Sequence, residues 1–440
     1  MKIASLLANV ISSIAPSPKE VKEESDFAAG LVSKISQFVP DGAKVAVMGS
    51  IAKGTFLRDS KDIDIFILLP KTTERSEFEK IARDAALVAF PDAKKEIKYA
   101  EHPYVRVFSE GRQIDLVPAY LIEKISEKMS SVDRSVLHTK YILKKLGAGA
   151  AGKKSQVLLL KKFMKANGIY GAEIKVLGFS GYLCELLVLK YGSFVSVLKA
   201  ASKWKEPVFV DIEQYYQKQK KEKKAKSDEM EKLIARFDAP LIIIDPVDEN
   251  RNVSAAVSKE NFKRFISLSK MFVKKPSEKF FFSVPQSFDE KLEKLGVVRK
   301  GKGSHYLISI KRQDIVDDIL WGQLRKLDCA LVSFLGKQEF EVTGCMADAN
   351  DKECRIAISF AKEALPSTRL LKGPELKLVK NVKEFRKAHK KGKFLVKKKR
   401  VYAIVKRKLV FAKDAIEEFF DNSILPSHLN DKKGMKVEKI

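Results

Sequence analysis

Apolar residues recur at helical spacing in the first two segments of the chain. The segment "MKIASLLANVISSIA" predicts an amphipathic core helix rather than a signal peptide, because polar residues separate its apolar positions at helical intervals. A second apolar face in residues 19–38 predicts another helix after Pro16 and Pro18. The apolar positions of the two helices are Ile3, Leu6, Leu7, Val10, Ile11 and Ile14, then Val21, Ala28, Leu31, Val32, Ile35 and Phe38.

Alternating and continuous apolar runs then predict strands. "KVAVMGS" and "DIDIFILLP" are typical of two strands joined by a turn from Gly49 to Lys61, and "YVRVFSEGRQIDLVPAY" is typical of a hairpin that turns at Glu110 and Gly111. With the two helices, these strands predict a mixed α/β unit over residues 1–135.

The rest of the chain predicts two further regions and an α+β fold class overall. Residues 136–270 carry helical periodicity, interrupted by a Lys-rich segment at 217–232 that is typical of a solvated loop or helix extension. In residues 271–440 the helix "DIVDDILWGQLRKL" alternates with strands, which predicts an antiparallel sheet. The predicted strands are "HYLISI", "CALVSFL", "FEVTGC" and "RIAISFA".

Charge and cysteine content indicate the partners and the compartment. The 84 Lys and Arg exceed the 56 Asp and Glu by 28, which favours nucleic acid as a partner. Residues 371–413 alone carry 17 of these cations against two glutamates, and "GKFLVKKKRVYAIVKRKLVF" within them predicts a hairpin with one basic face. No apolar run reaches the ~18 to 20 residues of a membrane span. Four scattered cysteines are typical of reduced thiols, so we expect a cytoplasmic protein.

Three aspartates are the candidates for metal binding. Asp62 and Asp64 lie two apart in a strand, so both side chains project from one face, and such a pair favours a divalent cation such as Mg²⁺. Asp115 lies between apolar residues of a later strand. If that strand pairs beside the first, three carboxylates meet and can hold two metal ions roughly 4 Å apart. Acids at strand ends that only face solvent are the structural alternative.

The loop before these aspartates is a candidate phosphate site. In "GSIAKGT", glycines allow close backbone approach, Ser50 and Thr55 can donate to phosphate oxygens, and Lys53 supplies charge. The later "GAGAAGKKS" at 147–155 resembles a nucleotide motif but follows a predicted helix, so we interpret it as a flexible link. By spacing alone, His138, Lys161 and Tyr170 are ordinary surface or packing residues.

Longer stretches resemble the archaeal-type, class I CCA-adding enzymes, which are tRNA nucleotidyltransferases of the polymerase β superfamily. The resemblance implies a catalytic head, a helical neck, and a body and tail that hold the acceptor end of tRNA. The stretches that carry it are "GSIAKGTFLRDSKDIDIF", "YAEHPYVRV", "RQIDLVPAY", "LHTKYI", "LLLKKFMKANGIYGAEIKVLGFSGYLCELLV", "DPVDENRNVSAAVS" and "LWGQL".

The resemblance also implies roles for particular residues. The carboxylates would bind magnesium, and Asp115 would help to activate the primer 3′-hydroxyl. Arg251 would read the incoming base together with the RNA backbone. The residues near the triphosphate would be Ser50, Lys53, His138, Lys161 and Tyr170, and those near the primer end Glu101 and His102.

The implied activity is stepwise, template-independent addition of C, C and A to tRNA from CTP and ATP, with release of pyrophosphate. A poly(A) polymerase or oligoadenylate-synthetase-like transferase is one alternative, and an inactive RNA-binding subunit is another. The chain departs from the family at Asp59, where we expect glycine, and in the length of the segment at 217–232. Its oligomeric state stays open, with a homodimer among the options.

Overall fold

The computed structural model describes residues 3–99, 103–147, 151–218, 227–282, 288, 290, 303–431 and 434–440. The chain divides into two compact units, Met1–Val284 and Pro285–Ile440. The predicted boundaries at residues 135 and 270 stay predictions.

The first unit contains a five-stranded sheet and most of the helices. Its helices are α1 (Ile3–Ile14), α2 (Pro18–Ser36), α3 (Gly49–Lys53), α4 (Phe78–Ala89), α5 (Arg134–Lys145), α6 (Ala151–Ala166), α7 (Gly181–Tyr191), α8 (Phe194–Ala201), α9 (Tyr215–Lys218), α10 (Ser227–Phe237) and α11 (Lys259–Lys274). Its strands are β1 (Lys44–Met48), β2 (Asp62–Leu69), β3 (Lys94–Tyr99), β4 (Pro103–Ser109), β5 (Arg112–Tyr120), β6 (Val208–Asp211), β7 (Leu241–Asp245) and β8 (Asp248–Asn252).

The five-stranded sheet has the order β1-β2-β5-β4-β3. Strands β2 and β5 pair in parallel, and the other neighbours in this sheet pair antiparallel. Helices α2 and α4 pack on the sheet around a core that includes Ile63, Ile65 and Ile114. The predicted hairpin is confirmed, and Glu110 and Gly111 at its turn both have positive φ.

Two details of the N-terminal helices differ from the predicted faces. Helix α1 buries Leu6, Val10 and Ile14 as expected, but Ile3 is exposed, and so are Val21 and Phe38 of the second predicted helix. Glu24 is buried in their place, because Arg112 donates two hydrogen bonds to its carboxylate and Lys61 lies 3.5 Å away. The buried face of α2 therefore contains this ion pair as well as the predicted Ala28, Leu31 and Ile35, and hydrophobic periodicity could not reveal the pair.

Helices α6, α7, α8 and α11 form the predicted helical part around Phe163, Phe194 and Phe272, and α1 packs against α6. The prediction missed a three-stranded sheet, β6-β7-β8, in this region. Its central strand, "LIIID", is a short apolar run, which periodicity cannot distinguish from a piece of buried helix.

The second unit has two antiparallel sheets, of order β10-β11-β9-β15 and β12-β14-β13. The elements are β9 (Ser304–Lys311), α12 (Asp317–Lys337), β10 (Val342–Ala349), β11 (Glu353–Phe360), β12 (Thr368–Glu375), α13 (Val379–Ala388), β13 (Lys393–Lys397), β14 (Arg400–Lys406), α14 (Ala412–Asn422) and β15 (Lys436–Lys439). The strand predicted at "CALVSFL" is wrong: Leu327, Leu331 and Leu335 continue the buried face of α12 at four-residue spacing.

The predicted basic hairpin is present as β13 and β14. Val401 and Ala403 are buried on its inner side, whereas Lys397, Lys398 and Lys399 at its turn are exposed. The alternation of apolar and basic residues therefore produces an ordered sheet with a cationic edge.

Among the described residues, no single helix is long and apolar enough to cross a membrane. Helices α7 and α8 meet that length and composition only as a pair, across a bend of 91°.

Candidate active site

The carboxylates lie at the point where β2 and β5 run side by side. The pairing of these two strands that the prediction required is present, and it is parallel, with Asp64 opposite Asp115 and Asp62 opposite Gln113. Asp62 is exposed and accepts a hydrogen bond from Ser60 Oγ at 2.6 Å, while Asp64 and Asp115 are partly buried. Acids from two distant segments therefore come together on two neighbouring interior strands of the sheet.

The Asp64 carboxyl lies in surroundings that disfavour a negative charge. Burial, followed by the charges of Asp115 and Asp62, raises its pKa to about 7. Gly49 makes room for it, since a Cβ at Gly49 would lie 1.7 Å from Asp64 Oδ2. The positive φ of 64° at this position also favours glycine.

Arg106 on β4 forms a two-pronged ion pair with Asp115. Its Nε donates to Oδ1 and its Nη2 to Oδ2, each at 2.8 Å. Arg106 therefore supplies the positive charge that Asp115 faces. The described part of the chain contains no group of three or more His, Cys, Asp or Glu side chains that could hold a metal ion. The donor types and strand register suit a cation, but Asp115 must exchange its guanidinium partner to join one.

The loop that precedes β2 leads into a buried polar network. Lys53 donates to Glu185 Oε2 and Thr55 Oγ1 donates to Glu185 Oε1, both at 2.7 Å. Lys161 donates to the Thr55 carbonyl at 2.8 Å, and its Nζ lies 3.8 Å from Glu185. Two buried lysines thus share one fully buried carboxylate, and burial lowers the pKa of Lys161.

Tyr170 and Lys161 meet at the start of α7, beside Gly181. A Cβ at Gly181 would lie 3.0 Å from Tyr170 Oη and 3.4 Å from Lys161 Nζ. Ser50 lies in α3, where its carbonyl accepts from the Thr55 N–H at 2.9 Å. Four of the residues predicted near the triphosphate, including Lys53, therefore lie around one loop and one helix start.

Lys154 is a further cation near the site, although the sequence pattern predicted that its segment is a flexible link. The segment from residue 151 begins α6 rather than a flexible link, and a Cβ at Gly54 would lie 3.0 Å from Lys154 Nζ. The motif "GAGAAGKKS" does follow a helix, as predicted, but its lysine reaches the end of the phosphate-loop candidate.

His138 and Arg251 belong to a second cluster, centred on the fully buried Asp245. His138 Nε2 and Arg251 Nη1 lie 2.8 and 2.9 Å from Asp245 Oδ2. Tyr182 Oη and the Val247 N–H donate to Oδ1, each at 3.1 Å. Burial opposes ionisation of Asp245, but His138 and Arg251 hold its pKa below the ordinary value. Burial also lowers the pKa of His138.

Tyr182 links the two clusters. Its ring stacks on His138 with 4.0 Å between centroids, and Lys53 Nζ lies 6.0 Å from the centroid of the same ring. The predicted nucleotide residues are therefore contiguous within the first unit. Glu101 and His102, predicted near the primer end, lie outside the described residues.

Asp59, which stands where the family resemblance leads us to expect glycine, forms ion pairs with two nearby lysines. Lys162 donates to Asp59 Oδ2 at 2.8 Å, and Lys165 lies 3.6 Å from Oδ1, so the acid connects the turn before β2 to helix α6. These charges lower the pKa of Asp59 although burial opposes them.

Sequence reasoning missed Arg106, Glu185 and Asp245. Each is a charged residue inside a mostly apolar or alternating segment, and this contrast is the sequence feature that could have marked it as functional. Their partners lie far away in the chain or on another element, so no short spacing marks them.

Comparisons with known proteins cover almost the whole chain. Family models match residues 29–138 ("Nucleotidyltransferase domain"), 155–282 ("tRNA nucleotidyltransferase, second domain") and 302–435 ("CCA-adding enzyme, C-terminal domain"). The CCA-adding enzyme of Methanocaldococcus jannaschii is 33% identical over 100% of this chain and 96% of that protein. The chain belongs to the CCA-adding enzyme family.

Other CCA-adding enzymes match at a similar level. That of Methanosarcina acetivorans is 34% identical over 86% of this chain and 80% of that protein, and that of Archaeoglobus fulgidus is 30% identical over 95% and 90%. The resemblance drawn from the motifs is thereby confirmed. A solved structure of the Cid1 poly(U) polymerase covers 64% of this chain and 99% of that chain, at 17% identity with a TM-score of 0.49.

Proposed function

We propose that this chain adds C, C and A stepwise to the 3′ end of tRNA from CTP and ATP, without a nucleic acid template. The observation that carries the proposal is the pairing of Asp64 beside Asp115 in a chain that resembles CCA-adding enzymes along its whole length. In each step the primer 3′-hydroxyl attacks the α-phosphorus of the nucleotide, and the bond to the β-phosphate oxygen breaks to release pyrophosphate.

The three carboxylates are the proposed metal ligands. Proteins with this type of domain generally use divalent metal ions, and we propose Mg²⁺ here because the donors are hard carboxylate oxygens. The raised pKa of Asp64 supports the assignment, since a cation would relieve the repulsion that contributes to it. When bound, the metal would activate the hydroxyl and offset charge on the leaving phosphates. Asp115 would assist by accepting the hydroxyl proton once Arg106 releases it.

The lysine network is the proposed triphosphate site. Lys53 and Lys161 are buried, so their attraction for phosphate is screened less than it would be in water. Ser50 and Tyr170 would donate to phosphate oxygens, and His138 would approach from the second cluster. Glu185 would hold both ammonium groups in place before the nucleotide binds.

Arg251 is the proposed reader of the base. Its side chain is 32% exposed and uses one nitrogen on Asp245, which leaves further donors for a ligand. The basic hairpin at β13 and β14 is proposed to hold the tRNA through its phosphates and shape, because a duplex arm offers little sequence to read. Glu101 and His102 stay proposed for the primer end, and a homodimer stays an option.

The test uses a tRNA transcript that ends at the discriminator base. CTP alone should add two residues, CTP with ATP should complete CCA, and ATP alone should add almost nothing, as sequencing of the product 3′ ends would show. Long homopolymer tails from ATP alone would contradict the proposal and favour a poly(A) polymerase.

The metal-site assignment is tested in the same assay with Asp64→Asn. The substitution should lower every incorporation step by about 1,000-fold or more, since it removes a charged ligand at the reacting centre. Binding of tRNA should be nearly unchanged. Asp84→Asn, at an exposed acid of α4, is the control and should retain full activity.

A further inference from the structure

Asp245 is a buried acid with an unusual number of donors directed at it. It ends β7, the strand that β6 and β8 flank, and its side chain is fully buried. Arg251 and His138 address one carboxylate oxygen, and Tyr182 and a backbone N–H address the other. The two oxygens are therefore each held from two directions, and the carboxylate cannot rotate without breaking hydrogen bonds.

This carboxylate determines the orientation of Arg251. Nη1 of the guanidinium is bound to it, and within the described part of the chain the other nitrogens have no hydrogen bond to protein. Because the guanidinium is planar, one fixed nitrogen limits the plane in which the remaining N–H groups point. Arg251 thus presents a donor edge on the side away from Asp245.

We propose that Asp245 is a positioning residue that gives the nucleotide site its preference for C and A over U and G. The inference rests on the proposed function and deepens it. Cytosine N3 and adenine N1 carry lone pairs that accept from a donor edge, whereas uracil N3 and guanine N1 carry hydrogens. A donor edge that cannot turn away rejects the second pair, because two donors would face each other without an acceptor between them.

An amide cannot replace the carboxylate in this role. Asparagine at 245 offers one acceptor oxygen, one NH₂ group and no charge, so one of the two donor pairs loses its acceptor and Arg251 loses its ionic partner. Asp245→Asn should therefore loosen the hold on Arg251 while keeping the size of the side chain.

The chain contains a matched control in Asp211. This acid ends β6, the strand parallel to β7, and it is also buried, but its carboxylate accepts from the Tyr216 N–H, at 2.9 Å, rather than from the Asp245 cluster. Asp211→Asn removes a buried charge from the same small sheet without touching Arg251 or His138. It should preserve nucleotide discrimination.

The experiment compares the wild type with both variants on a tRNA ending at the discriminator base, offering CTP or UTP singly. For Asp245→Asn we expect kcat/KM for CTP to fall about tenfold or more and the CTP preference over UTP to fall at least tenfold. For Asp211→Asn we expect no change in that preference. Adding Arg251→Ala to Asp245→Asn should reduce the preference no further than Arg251→Ala alone, because both act through one guanidinium.

The outcomes are distinct. An unchanged preference in Asp245→Asn, or an equal loss in Asp211→Asn, would overturn the positioning role. If Asp245→Asn does not fold, Tyr182→Phe decides: it removes one of the two hydrogen bonds to Oδ1 and loosens the carboxylate, so the preference should fall at least threefold, and an unchanged value would overturn the inference. Failure of the wild type to add C to tRNA would instead overturn the proposed function. In that case, the dissociation constants of CTP and UTP for the same proteins would test Asp245, because the CTP preference in binding should fall by the same factors.

Discussion

At the scale of single residues, the site combines charges that were predictable with charges that were not. The D-x-D spacing and the acid in "RQIDLVP" identified the three aspartates, because strand geometry fixes where alternate side chains point. Glu185 and Asp245 escaped prediction, since a single acid in "GYLCELL" or "LIIID" acquires its meaning only from partners on other elements. Sequence spacing finds neighbours on one element and misses neighbours created by packing.

The raised pKa of Asp64 predicts how stability depends on pH in metal-free protein. Its ordinary value of 3.8 becomes about 7 on folding, so the folded state is destabilised above pH 7 and regains stability as the pH falls toward 4. Asp64→Asn removes this effect and should increase the free energy of unfolding at pH 8 by about 2 to 4 kcal/mol.

Urea unfolding in EDTA at several pH values would measure the difference between Asp64→Asn and wild type. The difference should shrink toward pH 4, and Mg²⁺ at pH 8 should also reduce it. Asp84→Asn should show no such trend, because that acid is exposed and paired with Lys80. A difference that stays constant with pH would contradict the assignment.

At the scale of elements, the strands that carry the three aspartates could be predicted, but several strands and one helix elsewhere in the chain could not. The strands β2, β4 and β5 follow from alternation, but the sequence left open whether β5 pairs beside β2, and the register of Asp64 with Asp115 appears only in the folded sheet. The three strands β6, β7 and β8 and the length of α12 were missed, because short apolar runs fit strand and helix equally well.

The turn from β1 into α3 depends on glycine at position 49. Gly49→Ala should lower the incorporation rate about 100-fold or more, because its methyl group would displace the Asp64 carboxylate. It should also lower the free energy of unfolding by about 1 to 2 kcal/mol, since φ is 64° there. Incorporation kinetics and urea unfolding measure the two effects.

Gly30→Ala is the control for that substitution. Gly30 lies inside α2, and a Cβ there would meet no atom within 4 Å. This change should leave the rate unaltered and stabilise the fold by about 0.5 to 1 kcal/mol. A Gly49→Ala protein as active as wild type would show that Asp64 does not need its present position.

At the scale of the whole molecule, the candidate chemistry and the basic hairpin belong to different units. The composition predicted a polyanionic partner; the first unit carries the candidate active site, and the second carries the hairpin of β13 and β14. The identity of that partner could not come from charge alone, because any polyanion is attracted to a chain of net charge +28. It came from motifs spread over the chain.

The exposed lysines at the hairpin turn predict a salt-dependent contribution to tRNA binding. Replacing Lys397, Lys398 and Lys399 by Gln should weaken binding and reduce the slope of log K against log salt by roughly one for each phosphate that the hairpin no longer binds. Filter binding at several salt concentrations measures both, and the rate at saturating tRNA should be nearly unchanged.

The matched control replaces Lys19, Lys22 and Lys44 by Gln, at three exposed positions of the first unit. It removes the same charge and should alter the salt slope less. Equal effects of the two triple variants would indicate that only net charge matters.

The parallel pairing of β2 with β5 also has a consequence for protein synthesis. Asp62 and Asp64 leave the ribosome well before Asp115, because helix α4 and strands β3 and β4 intervene in the chain. The site therefore depends on closing a long loop, a slow class of folding event. A nascent chain that already contains its first two acids still lacks the third, so it should bind metal poorly and stay inactive until β5 has paired.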